Sequence, residues 1–392
     1  MLQLPQNPVV AVIGATGAVG REMIDILESR RFPMKALRLF ASPRSRGMRI
    51  PFRGAEIEVE ALEEDAPGDV AAGDVAAGDV AAGDAAVRAA PAGLGGIDLA
   101  LFSAGKGISR AWAPRFRDAG ALVVDNSSAF RADPACPLVV PEVNGHALDA
   151  VHGPAIIANP NCSTIIALMA VTPLHRAIGV ERMVVATYQA ASGAGAAAMA
   201  ELEGQARAFA AGTPMDTAIF GRQYLFNVFS HNSAVGADGY NEEERKLLTE
   251  TRRMWETDRV RVSATCVRVP TLRAHAEAIH LEFRRPTDEA ELRALLAAAP
   301  GARIVDDRAG NRFPEPLAAA GGDDVLVGRI RMDPSVPDAR GAALFVCGDQ
   351  IRKGAALNAV QIAECFLGTR IPGPGRGPAS VERVGTAAHA AG

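Results

Sequence analysis

The order strand, glycine loop, helix at the start of the chain restricts its fold more than any other feature. Val9-Val10-Ala11-Val12-Ile13 is short and wholly apolar, the pattern of a strand buried on both faces of a parallel sheet. It runs directly into Gly14-Ala15-Thr16-Gly17-Ala18-Val19-Gly20, then into a helical pattern with Val19, Met23, Ile26 and Leu27 on one face. Glycines let a phosphate approach the backbone, and a helix N-terminus offers it unpaired N–H groups and a favourable dipole. The spacing is G-x-x-G-x-x-G rather than the commoner G-x-G-x-x-G, and a glycine turn by itself can be only a turn. Its place between strand and helix favours a dinucleotide cradle, with Gly14, Thr16, Gly17, Ala18 and Val19 expected against a cofactor.

The next strands extend this reading. Ala36 to Ala41 should end beside the adenosine ribose, where an NAD-selective site places Asp or Glu. This chain has Ser42-Pro43-Arg44-Ser45-Arg46 instead, and hydroxyls with guanidiniums suit a 2′-phosphate. NADP(H) is therefore expected, held by Ser42, Arg44 and Ser45. The competing reading is a basic surface turn, because arginine supplies 37 of the 41 basic residues. Small residues after the strand Ile97 to Phe102, Ser103 first among them, allow close approach by the cofactor. Ala121 to Asp125 leads to Arg131, which either clamps a phosphate or carboxylate or is one more solvated arginine. From Gly68 the sequence Gly-Asp-Val-Ala-Ala occurs three times in tandem. So small a repeat cannot build a core, and 68–87 is expected to be a mobile surface insertion.

A chain of 392 residues has room for two cores. Its net charge of −4 gives no reason to expect nucleic acid or an anionic membrane as partner. The five cysteines, at 136, 162, 266, 347 and 365, lack the paired spacing of a disulfide framework or zinc site. We expect no metal and a reducing cytoplasm, with neither a signal peptide nor a membrane-spanning run.

Cys162 stands apart from the other four thiols. Ile156 and Ile157 end a strand and Thr164 to Ala170 begin a helix, so Asn159-Pro160-Asn161-Cys162 places a thiol near a helix N-terminus. A thiolate is stabilised there, and the polar turn should expose it. A buried structural cysteine is the ordinary alternative, which this placement disfavours.

Beyond Cys162 longer strands with alternating pattern suggest a second, largely antiparallel sheet. Met183 to Tyr188 delivers Gln189, followed by the small-residue loop Ala190 to Gly195, and Tyr240 to Lys246 opens a charged helix. Val260 begins a long strand expected to continue as far as His275, whereas His280 falls on a sheet face without catalytic duty. Arg352 to Glu364 reads as a helix returning to the first domain, and the tail from Thr369 is expected to be disordered. The expected domains are 1–135 for the cofactor and 136–348 for catalysis and dimerisation, then the helix 349–368 and the tail 369–392.

Taken together, Gly14 to Gly20, Asn159 to Thr164, Gln189 to Gly195, Arg268-Val269-Pro270 with His275, and Arg352 to Asn358 resemble the aspartate-semialdehyde dehydrogenase family over residues 8–367. The repeat, the tail and Lys106, in a segment that usually reads Ser-Ala-Gly-Gly, depart from the family pattern. The resemblance implies a Rossmann-type NADP-binding domain and an α+β domain with a mixed, largely antiparallel sheet, as in glyceraldehyde-3-phosphate dehydrogenase. It implies Cys162 as nucleophile, Gln189 as its orienting partner and His275 as general acid/base. Arg268 would bind the substrate carboxylate and Glu243 its ammonium, with Arg131, Asn161 and Lys246 on the phosphoryl group. Ser192, Gly193 and Asn358 would join the cofactor contacts. The implied reaction is NADPH-dependent reductive dephosphorylation of 4-phospho-L-aspartate to L-aspartate 4-semialdehyde, in aspartate-family amino-acid and diaminopimelate biosynthesis, by a homodimer or homotetramer. The alternatives are a related acyl-phosphate reductase, such as N-acetyl-γ-glutamyl-phosphate reductase, or a non-catalytic NADP-binding homologue.

Overall fold

The apolar run at the start is the middle strand of a seven-stranded sheet, and apolar layers packed on both of its faces account for its lack of alternation. A computed structural model describes residues 1–62 and 93–368. The pentapeptide repeat and the Gly/Pro-rich tail lie outside the described residues. The first half of the chain contains β1 (Val9–Ile13), α1 (Ala18–Ser29), β2 (Ala36–Ala41), β3 (Arg49–Phe52) and β4 (Ala55–Ala61). It continues through β5 (Leu99–Phe102), α2 (Lys106–Asp118), β6 (Leu122–Asp125), α3 (Pro141–Asn144) and β7 (Ile156–Ala158). The strand order is β3-β4-β2-β1-β5-β6-β7, parallel except for the β3–β4 hairpin. That hairpin turns on Arg53 and Gly54, both with positive φ, the backbone of a two-residue turn that matches strand twist. Because β7 belongs to this sheet, the boundary expected at 135 falls after Ala158 instead.

The second sheet begins after the long, apolar α4 (Cys162–Ile178). Its parts are β8 (Val180–Gln189), α5 (Ala196–Ala211), β9 (Phe229–Ser230), α6 (Glu242–Met254), β10 (Arg261–Arg268) and β11 (His275–Phe283). Then come α7 (Glu289–Ala297), β12 (Ala302–Ile304), α8 (Pro316–Ala319), β13 (Val325–Met332) and β14 (Gly341–Gly348). The order is β12-β13-β14-β11-β8-β10-β9, with β8–β10 and β12–β13 parallel and the other pairs antiparallel. The single strand expected from Val260 to His275 is two. Residues 269–274 turn back, with Ala274 at φ +69°, so that β10 and β11 lie on opposite sides of β8.

Two apolar layers fix these parts. Ile165, Ile166, Leu168 and Val171 of α4 pack on Val185, Ile279, Val327 and Leu344 of the second sheet. Each such buried side chain contributes roughly 1.5–3 kcal/mol of transfer free energy. The chain then leaves β14 through a π-helical turn (Arg352–Ala356) into α9 (Leu357–Cys365). Leu357, Val360 and Ile362 of this helix, with Phe366 just beyond it, pack with Val10, Val12, Met23 and Leu27 of β1 and α1. The nucleotide-binding half is thereby completed by the last helix among the described residues.

Candidate active site

The glycine loop forms as its spacing suggests. Gly14 has φ +87°, a conformation that side-chain-bearing residues rarely adopt, and its N–H donates to the Phe40 carbonyl. Gly17 is the N-cap of α1 and no side chain caps the helix, so the first N–H groups, beginning at Ala18 and Val19, stay available to a phosphate. Thr16 and Ser45 bring their hydroxyls within 3.4 Å. Ser103 closes the loop from β5, donating to the carbonyls of Ile13 and Gly14. Beside it opens a cavity of ≈ 630 Å³ lined in part by Ile13, Ser42, Arg46, Ile108 and Trp112. Apolar walls with hydroxyl and guanidinium groups at the rim suit an adenosine carrying a phosphate. Arg44 is exposed on the helical turn Pro43–Ser45 at this rim, and Lys106 is exposed at the first position of α2. These residues fit an NADP-type dinucleotide.

Strand register assembles the other half. Arg268 of β10 pairs with Gln189 of β8, and one step beyond the Ala276–Tyr188 pair His275 of β11 lies on the other side of Gln189. Arg268, Gln189 and His275 thus form one buried row across the sheet, although 86 positions separate Gln189 from His275. Cys162, the first residue of α4, is electrostatically coupled to Arg268 of this row. The C-terminal π turn packs against the nucleophile candidate, since a Cβ on Gly354 would come within 3.0 Å of the Cys162 Cβ.

Most of the remaining candidates are held by several bonds. Asn161 caps α4, its Oδ1 accepting from the N–H groups of Ser163 and Thr164 while its Nδ2 donates to Glu243 Oε1 at 2.8 Å. Gln189 Nε2 donates to Ser163 Oγ at 2.8 Å and to Glu243 Oε1 at 3.2 Å. Its side-chain amide is thus bonded to Ser163, beside Cys162. Glu243 Oε2 accepts from Lys246 Nζ at 3.0 Å. Burial opposes ionisation of Glu243, but the Lys246 charge and the bonds from Asn161 and Lys246 hold its carboxyl far below the ordinary range. Arg131 donates to the carbonyls of Asn159 (2.8 Å) and Asn126 (2.9 Å), and its Nη1 lies 3.4 Å from Glu250. Arg268 donates from Nη2 to His231 at 2.8 Å and from Nη1 to the Ala190 carbonyl, leaving a buried Nε without a partner among the described residues.

His275 has a defined tautomer. Its Nδ1 accepts from the Ala190 N–H at 3.1 Å, so the ring proton sits on Nε2, which is buried and has no partner among the described residues. Gly193 is what admits the ring, because a Cβ there would lie 3.0 Å from His275 Cε1. Burial, helped by the Arg268 charge, pushes this imidazole down to about 3 and keeps it neutral. Cys162 keeps partial exposure, yet its surroundings desolvate the sulfur and, with Glu243, push the thiol up to about 12. The exposed, helix-end thiolate expected from the sequence is therefore a neutral thiol at rest. Arg131, Arg268 and Lys246 act in the opposite sense and favour the thiolate.

One cofactor expectation changes. Asn358 is fully buried on α9, with its amide committed to Val139, Asn159 and Lys353, so it has nothing left for a cofactor. Ser192 is buried and accepts from Gln350 Nε2. The sequence reading passed over His231, Ser163, Glu250 and Glu277. Ser163 adjoins the thiol and was open to notice, but nothing in the linear order ties His231 to Arg268. Glu277, fully buried two residues beyond His275, is pushed well above the usual carboxylate range by burial, with Ser163 acting in the opposite sense.

Comparison with known proteins agrees with this geometry. Residues 9–151 match the family described as semialdehyde dehydrogenase, NAD binding domain, and residues 171–353 match the semialdehyde dehydrogenase dimerisation domain. An aspartate-semialdehyde dehydrogenase from Synechocystis is 47% identical over 364 residues, 93% of this chain and 98% of that protein. One from Aquifex aeolicus is 43% identical, covering 91% and 97%. The crystal structure of aspartate semialdehyde dehydrogenase II from Vibrio cholerae, complexed with ASA, superposes with a TM-score of 0.81 at 40% identity, covering 93% of this chain and 99% of that one.

Proposed function

We infer the roles of individual residues from the premise that this chain belongs to the aspartate-semialdehyde dehydrogenase family. The activity is that of the family: NADPH-dependent conversion of 4-phospho-L-aspartate to L-aspartate 4-semialdehyde and phosphate. Cys162 is the nucleophile. Its sulfur adds to the acyl carbon, its proton passes to the departing phosphate, and phosphate leaves with the electrons of the carbon–oxygen bond, giving a thioester. Arg131, Arg268 and Lys246 lower the cost of the thiolate as it forms. When bound, NADPH supplies the hydride that reduces the thioester; the sulfur is then released as the aldehyde forms. His275 donates a hydrogen bond to the substrate oxygen, because its fixed tautomer presents Nε2–H where charge develops.

Substrate recognition follows from charge. The buried Arg268 takes the α-carboxylate, and Glu243, held ionised, takes the ammonium. Arg131, Lys246 and Asn161 receive the phosphoryl group, Asn161 by way of the helix start that it caps. An acceptor for a free amino group distinguishes this site from one for an N-acetylated acyl phosphate. NADP(H) is held by the loop from Gly14 to Val19 with Ser42, Arg44, Ser45 and Ser103, and Ser192 and Gly193 lie on its catalytic side. The enzyme assembles as a homodimer or homotetramer through the 171–353 region, in the cytoplasm. No helix among the described residues is long and apolar enough to cross a membrane.

The observation that carries this reading is the buried row Arg268, Gln189, His275 beside the helix-start thiol. Phosphate-dependent reduction of NADP by L-aspartate 4-semialdehyde, followed by nicotinamide absorbance, tests it. Turnover is expected with that aldehyde and not with N-acetyl-L-glutamate 5-semialdehyde. The reverse preference would sink the Glu243 and Arg268 assignments.

A further inference from the structure

We propose that Lys353 is a positioning residue for phosphate, acting on Arg131 through Asn358 and Asn159. The proposal rests on the reading of Arg131 given above.

Lys353 is one of only four lysines in the chain and is 1% exposed, inside the π turn. Its Nζ donates to Glu142 Oε2 (2.6 Å), Gln361 Oε1 (2.6 Å) and Asn358 Oδ1 (3.0 Å), so all three of its hydrogens are used. An ammonium donates only, and this sets the polarity of everything attached to it. The Asn358 carbonyl must face Lys353, since a flipped amide would set its own hydrogens against the cation. Asn358 Nδ2 is consequently directed at the Val139 carbonyl (3.0 Å) and at Asn159 Oδ1 (2.5 Å). Asn159 is oriented in turn: its Oδ1 accepts, and its Nδ2 donates to Asn126 Oδ1 and to the Ala355 carbonyl.

The two asparagines at the end of this relay are the residues whose main-chain carbonyls hold Arg131. Arg131 Nε donates to Asn159 O and Nη2 to Asn126 O. The Asn126–Asn159 side-chain bond therefore sets the separation of the segments following β6 and β7, and the guanidinium bridges them. With Nε and Nη2 fixed, the direction of Nη1 is fixed as well. Packing alone does not call for this design, because apolar residues of similar shape commonly replace a buried ion pair without loss of stability. A donor-only group at the head of the relay accounts for its orientation.

The test uses the full-length enzyme in the phosphate-consuming direction. In one variant Lys353→Met is combined with Glu142→Gln, so that no buried charge is left unpaired; in another, uncharged break, Asn358→Leu interrupts the relay. Both are expected to raise KM for phosphate about tenfold, while kcat and the KM values for NADP and semialdehyde stay within about twofold. Arg131→Lys is measured in parallel. If Arg131→Lys raises the phosphate KM but neither relay variant does, the proposal fails and the role of Arg131 stands. If Arg131→Lys leaves it unchanged, the reading of Arg131 fails and takes the relay with it. A uniform rise in all three KM values, or a lower Tm with unaltered kinetics, would show that the network only packs. Should the double variant be insoluble, Asn358→Leu alone decides.

Discussion

The cofactor cradle and the catalytic row are built on opposite plans. In the cradle the contacts come from backbone: an uncapped helix start, a glycine at φ +87°, and side chains such as Arg44 that stay in solvent. In the catalytic site they come from side chains, nearly all buried, with Asn161, Gln189 and Glu243 each bonded to two or more groups. A backbone site tolerates changes around it so long as the turn forms. A side-chain site propagates them, because removing one member leaves another with a buried, unpaired polar group. The two halves should consequently separate under mutation, chemistry being lost without cofactor binding and the reverse.

The largest separation is expected at Cys162. Cys162→Ala should lower turnover by roughly 10⁴-fold or more, as loss of a nucleophile does, with NADPH affinity by fluorescence titration unchanged. The resting thiol can be examined in the unmutated enzyme. Because burial pushes it up to about 12, its thiolate fraction grows with pH throughout the neutral range. Iodoacetamide inactivation should accelerate about tenfold per pH unit from about pH 6 to 9, without a plateau. A plateau near neutrality would mean that the helix end and its three cations prevail over burial. An acyl adduct found by mass spectrometry on Cys136, Cys266, Cys347 or Cys365 would overturn the assignment itself.

His275 should show the next largest effect. His275→Asn is expected to lower kcat about 10²- to 10³-fold with a smaller change in KM, the signature of a group acting in the transition state. The unmutated enzyme should show no acid limb from His275 between about pH 5 and 8, since a pKa pushed down to about 3 leaves the ring neutral across that range. A kcat that fell with an apparent pKa near neutrality, and lost that limb in His275→Asn, would contradict the tautomer argument.

The same contrast explains what was legible in the sequence. Backbone sites leave a spacing, so Gly14 to Gly20 declared strand, loop, helix and ligand class together. Side-chain sites leave residue types, and their pairing depends on register. Gln189, Arg268 and His275 stand in one row only because β10 and β11 flank β8, and the turn at 269–274 that allows this was read as continuous strand. The resemblance supplied the list of site residues; of the partners that orient them, Ser163 on Gln189 adjoins the thiol in sequence, while His231 on Arg268 had no linear signal. Asn358 was misread for a related reason. It lies in a recognisable segment, but burial on α9 turns its amide toward Lys353 and Asn159.

The smallest expected effect tests the cradle. Arg44 is exposed, and its turn is fixed by Pro43 and by the Ser45 N–H donating to the Ser42 carbonyl at 2.9 Å, so removing the guanidinium should leave the backbone in place. Arg44→Ala is expected to raise KM for NADPH about tenfold, the loss of one charged contact to the 2′-phosphate, and to leave KM for NADH almost unchanged. The ratio of the two constants is the informative quantity, because general damage to the loop would weaken both. It should also shrink with added salt in the unmutated enzyme, since a charge pair at an exposed rim is screened. Equal losses with NADPH and NADH would remove Arg44 from the 2′-phosphate site. Selectivity would then fall to Ser42, Ser45 and Arg46, of which Ser42 and Arg46 line the cavity itself.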